Sequence, residues 1–209
     1  NMLKKPLVVD YHKALEIINQ SVVPIKWKDD TLWLINQLAL PAKLEWINCK
    51  TVEETAKAIK DMIVRGAPAI GVTAAYGMAI AAKQRTFKQF EDYHRWILEA
   101  KSLLASTRPT AVNLFWALEE MYQSFLRLKE VHVEEIFPLL LEKAQLLHRD
   151  DQLRCFAIGQ NAISFFEQNP KILTICNAGA LATGGFGTAL GVVRALQLND
   201  YFPQVYALE

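Results

Sequence analysis

Lys171 to Gly191 reads K-I-L-T-I-C-N-A-G-A-L-A-T-G-G-F-G-T-A-L-G. Ile172 to Ile175 is a short apolar, partly β-branched run after Pro170, which predicts a buried parallel strand. The run stops on Cys176 and Asn177. Gly179, Gly184, Gly185, Gly187 and Gly191 follow, before an apolar helical pattern from Thr188 to Leu198. A strand that ends on a polar pair, passes through glycines and opens a helix presents bare backbone N–H groups to an anion. Cys176, Asn177 and Gly179 are therefore candidate site residues. The spacing departs from the dinucleotide fingerprint, since Leu190 stands where Gly or Ala is required after Gly185 and Gly187, and no P-loop lysine is present. The same loop also suits plain packing of a helix on a strand.

Working outward, Val205 to Leu208 predicts a second strand, so a parallel α/β region begins near residue 170. One strand, one helix and one strand cannot cover their own sheet, and this half reads as truncated. Upstream, successive helices are predicted over Pro68–Gln84, Phe87–Leu104, Ala111–Leu128, Val133–His148 and Asp151–Glu167, with Asp150 and Asp151 reading as a cap between the last two. Thr51-Val52-Glu53-Glu54 is a capping box that opens a helix to about Val64. Before it, Val22–Ile25, Thr31–Ile35 and Leu44–Ile47 read as a small antiparallel sheet, with a short helix near Ala14–Asn19. The expected fold is α/β in class: an α+β amino-terminal part with a small sheet (1–50) and a helical region (51–169), followed by the start of a Rossmann-like parallel domain (170–209).

Composition narrows the function classes. The 209 residues are 52% hydrophobic and 22% charged, with net charge +1 and no basic stripe, which speaks against nucleic acid or a membrane surface. Cys49, Cys155 and Cys176 are far apart and odd in number, so neither a disulfide framework nor a CxxC metal site is expected, and a reducing cytoplasm is. The four histidines lack ligand spacing. Met2-Leu3-Lys4-Lys5-Pro6 does not read as a leader, because Asp10, His12 and Lys13 follow. The uncharged runs Gly66–Ala82 and Ile172–Val193 are crowded with Gly, Ala and Thr and read as buried core rather than as spans.

Two arginines stand at helix starts. Arg65-Gly66-Ala67-Pro68 and Thr107-Arg108-Pro109-Thr110 each put a guanidinium beside free helix N–H groups and the positive end of a helix dipole. That pairing suits a phosphate, bound bidentately by arginine with backbone donors added. Alternatively, each is a surface arginine near a helix end.

Three segments together resemble one family. They are Val64-Arg65-Gly66-Ala67-Pro68-Ala69-Ile70-Gly71 with Ala74-Ala75-Tyr76-Gly77, Thr107-Arg108-Pro109-Thr110-Ala111-Val112-Asn113-Leu114, and Ile172 through Gly191. The resemblance is to the S-methyl-5-thioribose-1-phosphate isomerases of methionine salvage, whose fold is shared by ribose-1,5-bisphosphate isomerase and by regulatory subunits of the translation-initiation guanine-exchange factor. It implies an aldose–ketose isomerase acting on a sugar phosphate as a cytoplasmic homodimer, with no metal and no nucleotide cofactor. It also implies that Arg65, Gly66, Ala67 and Arg108 hold the substrate and that Cys176 assists the transition state. The family's aspartate proton donor corresponds to a position beyond Glu209. Ile175 and Ala178 stand where the family has His and Thr, and Asn36 where it often has Asp. A non-catalytic regulatory protein on the same fold is the alternative, and a nicotinamide-dependent dehydrogenase is disfavoured by the failed fingerprint.

Overall fold

A computed structural model describes residues 10–208; the Met2–Pro6 start and Glu209 lie outside the described residues. Two compact units form. One comprises Ile25–His148, and the described part of the other comprises residues 10–24 with 149–208.

In the first unit, β1 (Ile25–Lys28), β2 (Thr31–Ile35) and β3 (Trp46–Cys49) make an antiparallel sheet in the order β1-β2-β3. Asp29 and Asp30 both take positive φ, 50° and 60°, between partners Lys28 and Thr31. A two-residue turn of that hand matches the twist of the strands it joins, and Asp tolerates it better than most residues. The strands sit a few residues later than the β-branched pattern placed the first and third. Alternation still sorts the faces, with Ile25, Leu32, Leu34 and Cys49 buried.

Helix α2 (Val52–Lys60) opens on the capping box: Glu54 N–H donates to Thr51 Oγ1 at 3.1 Å, and Thr51 N–H to Glu54 Oε2 at 3.2 Å. Helix α3 (Ala67–Gln84) is buried continuously from Ala69 to Ala82. Such a helix, apolar on every side, must be surrounded, and it is the axis of this unit. Packed with it are α4 (Phe90–Ala105) and α5 (Val112–Leu126), whose Leu104, Leu118 and Phe125 join the same core.

Where two helices are predicted on either side of Asp150 and Asp151, one continuous helix, α6, runs from Val133 to Ala162. The two aspartates do not cap it. Asp150 makes an i,i+4 ion pair with Arg154 at 2.8 Å, a pairing that supports a helix interior, and Asp151 is engaged elsewhere. No Gly or Pro interrupts residues 139–158, so nothing in the backbone stops the helix there.

In the second unit, α1 (Tyr11–Asn19) is capped by Asp10, whose side chain accepts from Lys13 N–H at 2.8 Å. The strands β4 (Lys171–Ile175) and β5 (Gln204–Leu208) pair in parallel, joined through α7 (Ala189–Leu198). This is a βαβ unit, and the fold class is α/β. β4 is not the buried strand its composition predicts: Leu173 is 70% and Ile175 60% exposed. Only one face is covered. Ile172 packs with Ile163, Ala195, Leu196 and Tyr201, and alternation turns Leu173 and Ile175 the other way.

Candidate functional site

In the Ile25–His148 unit, the N-terminal turns of α3 and α5 are in contact. A Cβ on Gly71 would stand 2.9 Å from the carbonyl oxygen of Asn113 and 3.5 Å from its Cβ. Glycine allows the two backbones to approach this closely. Neither helix is capped by a side chain, unlike α1 and α2. α3 starts from Gly66 at φ 100°, a conformation that turns the chain sharply into the helix, with Pro68 in its first turn. Arg65 and Ala67 are exposed beside this start. Arg108 precedes α5, its carbonyl accepting from Ala111 N–H at 3.0 Å. Its Nη1 is buried and has no hydrogen-bond partner among the described residues. A buried guanidinium N–H without an acceptor is costly, so the side chain fits an anion. The structure thus brings together the two helix starts of the Arg-Gly-Ala-Pro and Arg-Pro-Thr segments through Gly71 and Asn113.

In the second unit, β4 is followed directly by Cys176, whose φ of 61° lies in the left-handed region. A non-glycine residue held there at a strand end is strained, and such strain often marks a working side chain. The thiol is exposed, as is Asn177. Cys176 N–H donates to Leu208 O at 3.2 Å, which holds the strand end against β5. The other two cysteines are buried, and burial pushes both thiols up to about 11, which leaves them inert at neutral pH.

The glycine loop is tightly tied. Ala178 O accepts from Thr188 N–H at 3.0 Å and Leu190 N–H at 3.2 Å, which closes the loop onto the start of α7. Gly187, at φ 93°, lies against the backbone of Gly179. Thus Gly179 serves close approach within the loop as well as exposing backbone.

Two residues outside the predicted site hold this loop. Asp151 Oδ2 accepts from Gly184 N–H at 2.6 Å, and Gln152 Nε2 donates to Gly184 O at 3.0 Å. Neighbouring side chains on α6 therefore grip both backbone groups of one loop glycine. The helical signal was available: Asp151, Gln152, Cys155, Phe156 and Gly159 recur at three and four, which puts them on one face. The Asp150-Asp151 pair, with the composition of a cap, masks it.

Burial raises the pKa of Asp151 above the ordinary 3.8, and the bond from Gly184 N–H offsets this in part. A carboxyl with a raised native pKa stabilises the fold fully below the unfolded value and loses that contribution as pH rises through the native one. Asp151→Asn keeps an acceptor for Gly184 and cannot ionise. Its stability relative to the parent should therefore increase as pH is raised from about 4 toward neutrality. Thermal unfolding of both proteins across that range checks this, and parallel pH profiles would contradict it.

Among the described residues no group of three or more His, Cys, Asp or Glu is arranged to hold a metal, and no helix is long and apolar enough to cross a membrane.

The chain matches the Initiation factor 2 subunit family over residues 63–209. It is 44% identical over 192 residues to the methylthioribose-1-phosphate isomerase of Crocosphaera subtropica, covering 90% of this chain and 55% of that protein. It is 49% identical over 190 residues to a 5-deoxyribose 1-phosphate isomerase of Clostridium botulinum, covering 90% and 54%. Among solved structures, it is similar to the 5-methylthioribose 1-phosphate isomerase of Pyrococcus horikoshii, with a TM-score of 0.82 at 35% identity, covering 87% and 51%. It is also similar to the translation initiation factor eIF-2B subunit delta from A. fulgidus, with a TM-score of 0.80 at 43% identity, covering 90% and 54%. The chain spans about half the length of these relatives. The Arg-Gly-Ala-Pro helix start, the Arg-Pro-Thr segment and the glycine loop all fall within the matched stretch, and the chain belongs to the Initiation factor 2 subunit family.

Proposed function

We propose that this chain is part of an aldose–ketose isomerase acting on a 5-substituted ribose 1-phosphate, with 5-methylthioribose 1-phosphate as substrate in methionine salvage. The observation that carries the reading is the meeting of two helix starts, uncapped by side chains, at Gly71 and Asn113, with a buried and unpartnered Arg108 nitrogen ahead of one of them. Helix N–H groups and arginine are the donors a phosphate dianion requires. The isomerase relatives, at 44% and 49% identity, support the substrate class. A cytoplasmic homodimer belongs to the same reading.

The reaction needs no external oxidant. The C1–O4 bond breaks as a proton reaches O4, hydrogen moves from C2 to C1, and the C2 hydroxyl gives up its proton as C2 becomes a carbonyl. Arg65, Gly66, Ala67 and Arg108 hold the phosphate, which fixes the sugar and removes the entropy of orienting it. Cys176 assists the transition state, with Asn177 and Gly179 as further substrate contacts. The reading calls on no metal and no cofactor. A second reading, a regulatory subunit that binds sugar phosphate without turnover, is favoured by the likeness to eIF-2B subunit delta.

The test is turnover and binding of 5-methylthioribose 1-phosphate by the parent protein, Cys176→Ser and Arg108→Ala. Removing one charge-assisted contact costs about 1.5–3 kcal/mol, so Arg108→Ala should weaken binding at least tenfold. Cys176→Ser should abolish most turnover while still binding. Affinity within about twofold in Arg108→Ala would remove the phosphate role, and binding without turnover in the parent would favour the regulatory reading.

A further inference from the structure

In the unit of residues 10–24 with 149–208, a cleft of about 330 Å³ is lined by Ile17, Gln20, Ser21, Phe186, Arg194 and Leu198, with Gln197 beside them. The cleft combines one cation, neutral polar side chains and an apolar wall. Arg194 is only partly exposed, yet it makes no ion pair among the described residues. Of its five N–H donors, one reaches Phe186 O at a long 3.4 Å, and its guanidinium stands 5.8 Å from the Phe186 ring. Burial alone lowers its pKa, with no carboxylate to offset the loss of hydration. A half-buried arginine with one long hydrogen bond and no ion pair keeps donors available to an anion entering the cleft.

The charge of that anion follows from the surrounding helices. Gln20 and Ser21 lie just past the C-terminal end of α1, and Gln197 and Leu198 are at the C-terminal end of α7. Helix C-termini carry partial negative charge, so a dianion is opposed there and a single charge matched to one guanidinium is favoured. Ile17 and Leu198 supply a surface for an apolar body, with the Phe186 ring buried beneath it. We propose that this cleft binds a small monocarboxylate with an apolar chain, its carboxylate on Arg194. The anion competes with Phe186 O for the guanidinium. Phe186 lies in the glycine loop between Gly185 and Gly187 at φ 76°, so occupancy changes a contact that steadies the loop. The inference does not depend on the proposed isomerase activity.

Calorimetric titration with 4-methylpentanoate tests it, with 4-methylpentanamide and butyl phosphate as comparison probes. The carboxylate should bind saturably with Kd about 1 mM, the isosteric amide should not bind, and the phosphate should bind more weakly. Arg194→Met should weaken the carboxylate at least tenfold, and Arg194→Lys should restore part of the loss. Leu198 is 49% exposed, so Leu198→Glu leaves the fold intact and should also abolish binding by placing like charge at the cleft wall. No saturable binding by the parent up to about 10 mM, or undiminished binding by Arg194→Met and Leu198→Glu, would overturn the site. Tighter binding of butyl phosphate would overturn the single-charge assignment.

Discussion

Gly187→Ala is expected to destabilise the unit that holds the glycine loop by about 3 kcal/mol or more. Two independent costs combine. The residue sits at φ 93°, which an L side chain rarely adopts, and forcing alanine into the left-handed region costs about 1–2 kcal/mol. Its Cβ would then stand 2.7 Å from Gly179 C, 2.8 Å from Gly179 Cα and 2.9 Å from Ala180 N. All three are backbone atoms in a loop already fastened by Ala178 O and by the grip of Asp151 and Gln152 on Gly184, so none can swing aside. Overpacking of this kind adds about 1–3 kcal/mol. The melting temperature should fall by about 6–12 °C, and a fall under about 2 °C would show that the loop yields.

Gly71→Leu should have a comparable effect in the other unit and should damage ligand binding beyond it. At Gly71 the conformation is ordinary helix, so space alone sets the cost. Alanine there would gain about 1 kcal/mol of helix propensity, which offsets only part of the overlap with the backbone oxygen of Asn113 at 2.9 Å, so Gly71→Ala should cost about 1 kcal/mol. Leucine gains no more propensity and must fit a branched side chain where α3 is enclosed on every side. It forces α3 and α5 apart, at about 3 kcal/mol. Because those two helix starts supply the proposed phosphate donors, affinity for the sugar phosphate should fall more than tenfold, while Gly71→Ala keeps it within about threefold. A Gly71→Leu protein with unchanged melting temperature and affinity would show that the close approach of the helices is incidental.

Local chemistry made much of this legible in the sequence. The capping box at Thr51, Pro68 in a first turn and the strand before Cys176 are each specified by residues a few positions apart, and the structure carries them. Where structure and expectation differ, the deciding partner lies outside the short stretch that carries the pattern. Asp150 and Asp151 have the composition of a cap, but whether a helix continues past them is decided by Arg154 one turn on and by Gly184 thirty-odd residues away. β4 reads as buried because it is apolar, whereas its exposure is decided by which face its neighbours cover. Likewise, the approach of Gly71 to Asn113 joins segments far apart in the chain, and no local pattern announces it.

The enclosure of α3 bears on the thermodynamics of recognition. Its first residues, Ala67 and Pro68, lead directly into fourteen residues with almost no accessible surface, Ala69 to Ala82. Backbone donors at such a start are fixed before any ligand arrives. Recognition that must order a loop spends about 1–2 kcal/mol per residue in lost conformational freedom. A ligand meeting the start of α3 loses almost none there, so even a few hydrogen bonds leave a net affinity, and the temperature dependence of that affinity should reflect dehydration more than ordering.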